Sequence, residues 1–154
     1  MGFVESVCTR VLDILARSKW LALLLGRLAV GLLFVSTGWG KVHDLDKVTH
    51  FFTELGIPAP HFHAVVVSFS ELVCGSLLVV GLLTRVATVP LIVSMIVAIL
   101  TAKRADLHGL FDLVGFDEFT YLVVLVMIAI LGPGSAALDT VVARRLGWKR
   151  PASS

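Results

Sequence analysis

Four long apolar runs dominate this sequence and constrain its fold more than any other feature. They cover residues 20–40, 63–83, 86–102 and 117–132. As a helix at ~1.5 Å per residue, a run of about 20 residues matches the ~30 Å hydrocarbon core of a bilayer. Of the whole chain 57% is hydrophobic and only 16% is charged, against about 25% in a typical soluble domain. The sequence therefore predicts an all-α membrane protein with a four-transmembrane-helix bundle.

The segments outside the four runs complete the predicted organisation. Residues 1–19 alternate apolar and charged side chains at helical spacing, which is typical of an amphipathic helix in the membrane interface. They lack the uninterrupted apolar centre of a secretory signal. Residues 45–55 repeat the amphipathic pattern, so we expect a short helix in the first outer loop. The bundle then covers 20–132, and residues 133–154 form a basic tail.

The distribution of basic residues predicts the orientation. If both termini are cytoplasmic, more Lys and Arg residues lie inside than outside, in agreement with the positive-inside rule. Inside lie Arg10, Arg17, Lys19, Arg85, Arg144, Arg145, Lys149 and Arg150; outside lie Lys41, Lys47, Lys103 and Arg104. We therefore expect both termini, and the basic tail, in the cytoplasm.

Two opposite charges interrupt the first two runs, Arg27 in the first and Glu71 in the second. A charge at the centre of a membrane helix costs at least ~2.5–3.5 kcal/mol, so it has to be paired, hydrated or functional. Counted from the inner end of each run, their heights differ by ~8 Å, which the two side chains can bridge directly or through a water. The sequence therefore predicts an Arg27–Glu71 pair. It serves either as a structural ion pair that fixes the helix register or as part of a ligand or proton site.

The histidines suggest a second kind of site. Under the predicted topology all five lie in the outer loops or at outer helix ends: His43, His50, His61, His63 and His108. Imidazole suits zinc, iron, copper or nickel, which makes His43, His61 and His63 candidate ligands of a metal at an outer cap. The alternative is ordinary interfacial polarity, because no HxxxH or HExxH motif is present. Thiol chemistry is not expected, since Cys8 and Cys74 lie far apart and no CxxC motif exists.

Several short motifs carry a family resemblance. They are Arg27-Leu-Ala-Val-Gly-Leu-Leu-Phe34 with Gly38-Trp-Gly-Lys41, Leu55-Gly-Ile-Pro58, Glu71-Leu-Val-Cys-Gly-Ser-Leu-Leu78, Gly81-Leu-Leu-Thr-Arg85, and Gly132-Pro-Gly-Ser135 with Asp139. In order and spacing they resemble the DoxX family of four-helix integral membrane proteins, from about residue 21 to 139. The matching polar positions are Arg27, Lys41, Glu71, Thr84, Arg85 and Asp139.

The resemblance implies a multi-pass protein of a bacterial inner (plasma) membrane but no single activity. Relatives include subunits of a thiosulfate:quinone oxidoreductase and membrane assembly factors. The first hypothesis is therefore a subunit of a membrane oxidoreductase that binds a quinone-like or small sulfur-bearing molecule. Arg27 and Glu71 are then the catalytic candidates, and Arg27, Lys41, Glu71, Thr84 and Arg85 the cofactor-binding candidates.

The alternative hypothesis is a non-catalytic assembly module that binds partner proteins and contains a structural ion pair. In either case the expected partners are the lipid bilayer and a second protein or further copies of the chain. No nucleic acid is expected.

Overall fold

The structure is a computed structural model that describes residues 7–10, 12–13, 16, 18–107 and 109–145. Over residues 18–145 the chain forms α1 (Lys19–His43), α2 (Leu45–Glu54), α3 (Pro60–Val80), α4 (Thr84–Thr101), a 3-10 turn (Arg104–Asp106), α5 (Leu110–Gly115), α6 (Asp117–Leu131) and α7 (Leu138–Arg145). No strand is found among the described residues. The all-helical fold class is confirmed.

Three of the four predicted spans are helices that are long and apolar enough to cross a bilayer: α1, α3 and α4. The fourth, α6, has only 15 residues, which corresponds to about 22 Å of helix against the ~30 Å hydrocarbon core. A fourth crossing therefore stays a prediction.

The predicted amphipathic segments are helical over most of their described residues, with Ser18 and Leu55 in turns. Residues 7–10, 12–13 and 16 are in helix; the rest of the predicted interfacial segment, apart from Ser18 and Lys19, lies outside the described residues. The helix predicted in the first loop is α2, in which no residue is buried. That either helix rests on a membrane surface stays a prediction, as does the cytoplasmic position of the tail.

The four longest helices pack around a shared apolar core. α1 packs on α3, α3 on α4, α4 on α6, and α6 on α1, while α2 lies against α3. The core contains Val30, Phe34, Leu78, Leu91, Leu125 and Ile128. Outside this ring many large apolar side chains are exposed, Val86 at 65% and Ile130 at 70% among them. Exposed apolar side chains of this kind are what lipid contact requires.

Glycines bring α1 and α3 into backbone contact. A Cβ on Gly31 would lie 3.2 Å from the carbonyl oxygen of Gly75, and a Cβ on Gly75 would lie 2.9 Å from the backbone nitrogen of Val35. Farther along, a Cβ on Gly38 would meet the backbone of Glu71 and Leu72. Small residues allow this approach of membrane helices. They fix the register of α1 on α3, with Gly38 level with Glu71.

The same register places Arg27 at the turn between α3 and α4. There the guanidinium of Arg27 lies directly against Gly81, where a Cβ would clash with it. Arg27 and Gly38 are eleven residues apart on α1, which is about 17 Å of helix. The residues of α1 before Arg27 therefore extend beyond the α3–α4 turn, and Leu23 lies beside Gly134 in the segment that follows α6.

Candidate ligand-binding cleft

A partly buried ion pair joins Lys41 near the end of α1 to Glu71 in the middle of α3. The Nζ atom of Lys41 lies 2.7 Å from both carboxylate oxygens of Glu71. Glu71 is 1% exposed, whereas the Lys41 side chain is 34% exposed. The long methylene stem lets the lysine reach toward Glu71 while part of its side chain stays accessible.

Two hydroxyl groups surround the same carboxylate. Ser94 of α4 donates to Oε1 at 3.1 Å. The Thr37 hydroxyl is 3.3 Å from Oε2 and equally far from the carbonyl oxygen of Phe34, so its one hydrogen is shared between two acceptors. Side chains of two other helices, α1 and α4, therefore converge on Glu71, which gives the buried charge the partners it needs.

A cleft of about 1170 Å³ is lined in part by this ion pair. Its walls are largely apolar and come mainly from α1, α2, α3 and α4, with Glu118 contributed by α6. They include Val48, Phe51 and Phe52 of α2, Val66 and Val67 of α3, and Val93, Val97 and Ala98 of α4. A few polar groups in a large apolar cleft are the usual composition of a small-molecule site.

Arg27 lies in a separate polar cluster at the α3–α4 turn. Its Nη1 donates to the carbonyl oxygen of Pro133 at 2.8 Å, and its Nη2 donates to that of Ala136 at 3.1 Å. The residue is 2% exposed. Arg27 therefore fastens the segment after α6 to α1 through backbone acceptors.

Asp139 fastens the same segment to the start of α4. Its carboxylate accepts from the backbone N–H groups of Leu83 at 2.7 Å and Thr84 at 2.9 Å, which are unpaired donors at a helix start. Its own N–H donates to the carbonyl oxygen of Gly81 at 2.9 Å. Leu83 has a positive φ of 49°, and this capping helps to hold that unusual conformation.

The predicted cofactor-binding residues thus separate into two groups. Lys41 and Glu71 come together in the cleft, whereas Arg27, Thr84 and Arg85 lie at the α3–α4 turn. Arg85 donates to the carbonyl oxygen of Ile130 at 3.2 Å, and the Thr84 hydroxyl is buried without a hydrogen-bond partner.

The predicted Arg27–Glu71 pair is not formed, and Glu71 pairs with Lys41 instead. The prediction assumed that the inner ends of the first two spans, the start of the first and the end of the second, lie at the same height. In the structure α1 is displaced along its axis, because Gly38 has to face Glu71 for the two backbones to touch. The height difference between Arg27 and Glu71 is therefore about 17 Å rather than ~8 Å.

The predicted histidine ligands do not form a metal-binding group. In the part of the chain that the structure describes, no three His, Cys, Asp or Glu side chains come together as a possible metal site. The Nδ1 atoms of His43 and His63 lie 2.9 Å and 3.2 Å from the backbone carbonyls of Trp39 and Ala59. These rings therefore have local backbone partners. His108 lies outside the described residues.

Sequence reasoning missed Ser94 and did not connect Lys41 with Glu71. Ser94 gives no sequence signal, because a lone serine in an apolar helix commonly bonds its own backbone. The Lys41 contact did have a signal. The glycines at 31, 38 and 75 mark where α1 and α3 touch, and aligning them places Lys41 less than two turns from Glu71.

Comparison with known proteins agrees with this architecture. The sequence model of the DoxX family matches residues 22–104, a range that contains α2, α3, α4 and the cleft's ion pair. The chain belongs to the DoxX family. No solved structure matches it.

Three related proteins match most of the chain. The chain is 37% identical over 130 residues to the "Uncharacterized membrane protein Rv3486" of Mycobacterium tuberculosis, and the match covers 77% of this chain and 80% of that protein. It is 35% identical over 121 residues to the "Putative oxidoreductase CatD" of Bacillus subtilis, covering 77% and 85%. It is 28% identical over 124 residues to the "Inner membrane protein YphA" of Escherichia coli, covering 76% and 87%. This DoxX-family chain is a membrane protein.

Proposed function

We propose that this DoxX-family protein is the ligand-binding component of a membrane redox system and that its ligand is a quinone-like molecule. The observation that carries the proposal is the apolar cleft of about 1170 Å³ with the Lys41–Glu71 ion pair in its lining. Ligand sites of ~300–1,000 Å³ hold drug-sized molecules. The cleft is slightly larger than that range and has room for a quinone with part of an apolar tail, whereas a small sulfur-bearing molecule would leave most of it empty.

The redox assignment draws support from one relative, since the Bacillus subtilis protein is named as an oxidoreductase. The chain's own residues include no CxxC motif, and Cys8 and Cys74 are both free. We therefore assign ligand binding to this chain and electron transfer to a partner protein. Further copies of the chain are the other partner that the sequence suggests.

A cleft-filling substitution tests the proposal. Purified protein in lipid nanodiscs is titrated with 2-methyl-1,4-naphthoquinone, and binding is measured by equilibrium dialysis. Ala98→Trp puts an indole into the cleft wall, and we expect its affinity for the quinone to fall at least about tenfold, as loss of a substantial part of the buried ligand area predicts.

The matched control is Ile96→Trp on the same helix. Ile96 is 41% exposed and does not line the cleft, so its affinity is expected to stay near that of the unmodified protein. Equal binding by the two tryptophan variants would contradict a site in this cleft. Absence of quinone binding in the unmodified protein would favour the assembly-module alternative.

We also propose that the protein crosses a bacterial inner membrane four times with both termini in the cytoplasm. The Escherichia coli relative is named an inner membrane protein, and the basic residues favour the cytoplasmic side. Reporter fusions at both termini test this directly. Termini on opposite sides would mean three crossings, with α6 not spanning.

A further inference from the structure

The ammonium group of Lys41 has a donor left over after its ion pair is formed. An ammonium carries three N–H groups, and two of them are directed at the oxygens of Glu71 at 2.7 Å. Lys41 also lines the cleft, and its side chain is 34% exposed. The third N–H is therefore available to an acceptor on a bound molecule.

Glu71, by contrast, has its acceptor positions occupied. Oε1 accepts from Lys41 and Ser94, while Oε2 accepts from Lys41 and has the Thr37 hydroxyl at 3.3 Å. With the residue only 1% exposed, a ligand cannot replace these contacts without breaking the ion pair. Glu71 is positioned to orient Lys41 rather than to touch a ligand.

The charges of the cleft indicate which acceptor it takes. Its lining contains three lysines and three carboxylates: Lys41, Lys47, Lys103, Asp44, Glu71 and Glu118. His63 is the remaining titratable residue of the lining. The positive charge of Lys41 is already neutralised by Glu71. An anion would therefore find no net positive charge, whereas a carbonyl oxygen needs only the spare N–H.

We propose that Lys41 donates a hydrogen bond to a carbonyl oxygen of a neutral, apolar ligand, and that Glu71 is the positioning residue that aims this donor into the cleft. The inference rests on the proposed binding of a quinone-like molecule. The inference names Nζ of Lys41 as the atom that recognises the ligand. It is incompatible with a cleft that binds ligands through apolar contacts alone.

The test compares two probes that differ in their carbonyl groups, 2-methyl-1,4-naphthoquinone and 2-methylnaphthalene. The ratio of their dissociation constants isolates the carbonyl contact from the shared ring. In the unmodified protein the quinone is expected to bind at least roughly tenfold more tightly, as a hydrogen bond from a charged donor predicts.

The principal variant is the double substitution Lys41→Met/Glu71→Gln. Lys41→Met alone would bury an unpaired carboxylate and endanger folding, whereas the double variant removes both charges. We expect it to bind 2-methylnaphthalene as the unmodified protein does and to lose its preference for the quinone. The bound quinone's carbonyl stretching frequency should also rise in the infrared spectrum, because the hydrogen bond is lost.

Two further variants separate this role from a structural one. Glu71→Gln alone is expected to weaken quinone binding while leaving hydrocarbon binding unchanged, a split that general loss of structure does not produce. Lys19→Met removes one positive charge from an exposed residue at the other end of α1, and it should keep the full preference.

Each outcome decides between the two proposals. If the unmodified protein binds neither probe, the proposed function fails. If it binds both probes equally, the cleft is an apolar site and the Lys41 inference is overturned. The inference is also overturned if the double variant keeps the quinone preference and the carbonyl frequency of the unmodified protein.

Discussion

Replacement of Gly38 by Ala tests the register of α1 on α3, on which the position of the ion pair depends. A Cβ at Gly38 would lie 2.5 Å from the backbone nitrogen of Leu72, 2.9 Å from its Cα and 3.0 Å from the carbonyl carbon of Glu71. The shortest of these distances is about 1 Å below an ordinary contact of ~3.5 Å. All three atoms belong to the backbone, so no side-chain rotation relieves the overlap and the helices have to separate.

The matched control is Gly40→Ala on the same helix, where a Cβ would have no atom within 4 Å. Both substitutions gain the helix preference of alanine over glycine, about 0.5–1 kcal/mol. The difference between them therefore isolates the steric cost. Overpacking of this kind costs about 1–3 kcal/mol, so Gly38→Ala should be less stable than Gly40→Ala by that amount.

The assay is unfolding in mixed micelles by increasing mole fraction of sodium dodecyl sulfate, followed by far-ultraviolet circular dichroism. Gly40→Ala is expected to equal or exceed the stability of the unmodified protein, and Gly38→Ala to fall below it. Equal stability of the two variants would show that α1 and α3 do not touch at Gly38, and the argument that places Lys41 beside Glu71 would lose its basis.

Substitutions of Lys41, Arg27 and Asp139 test the two polar clusters by the same unfolding measurement. Lys41→Met should cost about 3–5 kcal/mol because it leaves the Glu71 carboxylate buried without its cation, and adding Glu71→Gln should recover part of this loss; a double variant less stable than the single one contradicts the ion pair. Arg27→Met should cost about 1.5–3 kcal/mol because two carbonyl groups lose a charged donor, with Arg27→Lys falling between it and the unmodified protein. Asp139→Ala should cost about 0.5–2 kcal/mol through the lost caps at the start of α4, and Asp139→Asn should cost less; an unchanged stability of Asp139→Ala would show that the caps are not formed.

The helical class was predictable from the apolar runs because their length and composition leave few alternatives. Both charged positions, Arg27 and Glu71, are buried and have polar partners in the structure, as the cost of a charge in such a run requires. Counting residues along each run did not predict the partner of Glu71 correctly. Spans one and two were aligned by their apparent inner ends, but the contact between them is set by where Gly31, Gly38 and Gly75 allow the backbones to approach.

The displaced register also explains why the two clusters differ in kind. Arg27 lies at the α3–α4 turn, and its two Nη atoms donate to carbonyl groups of Pro133 and Ala136 in the segment after α6. Such contacts hold that segment against α1. Glu71 lies at mid-helix, where the backbone offers it no donors, so its partners have to come from side chains.

Lys41 reaches Glu71 from near the end of α1 with its long side chain. The ammonium group comes from near the end of α1 and the carboxylate from the middle of α3. The Lys41 side chain therefore stays partly accessible, while the Glu71 side chain does not. An arginine at this position would direct two parallel N–H groups at the same carboxylate. Its remaining N–H groups would still be available to a ligand, but they would lie in the fixed plane of the guanidinium group. Lys41→Arg should therefore preserve the fold while changing which ligands bind, and a quinone preference that stays identical in this variant would show that the direction of the spare N–H is not what the cleft uses.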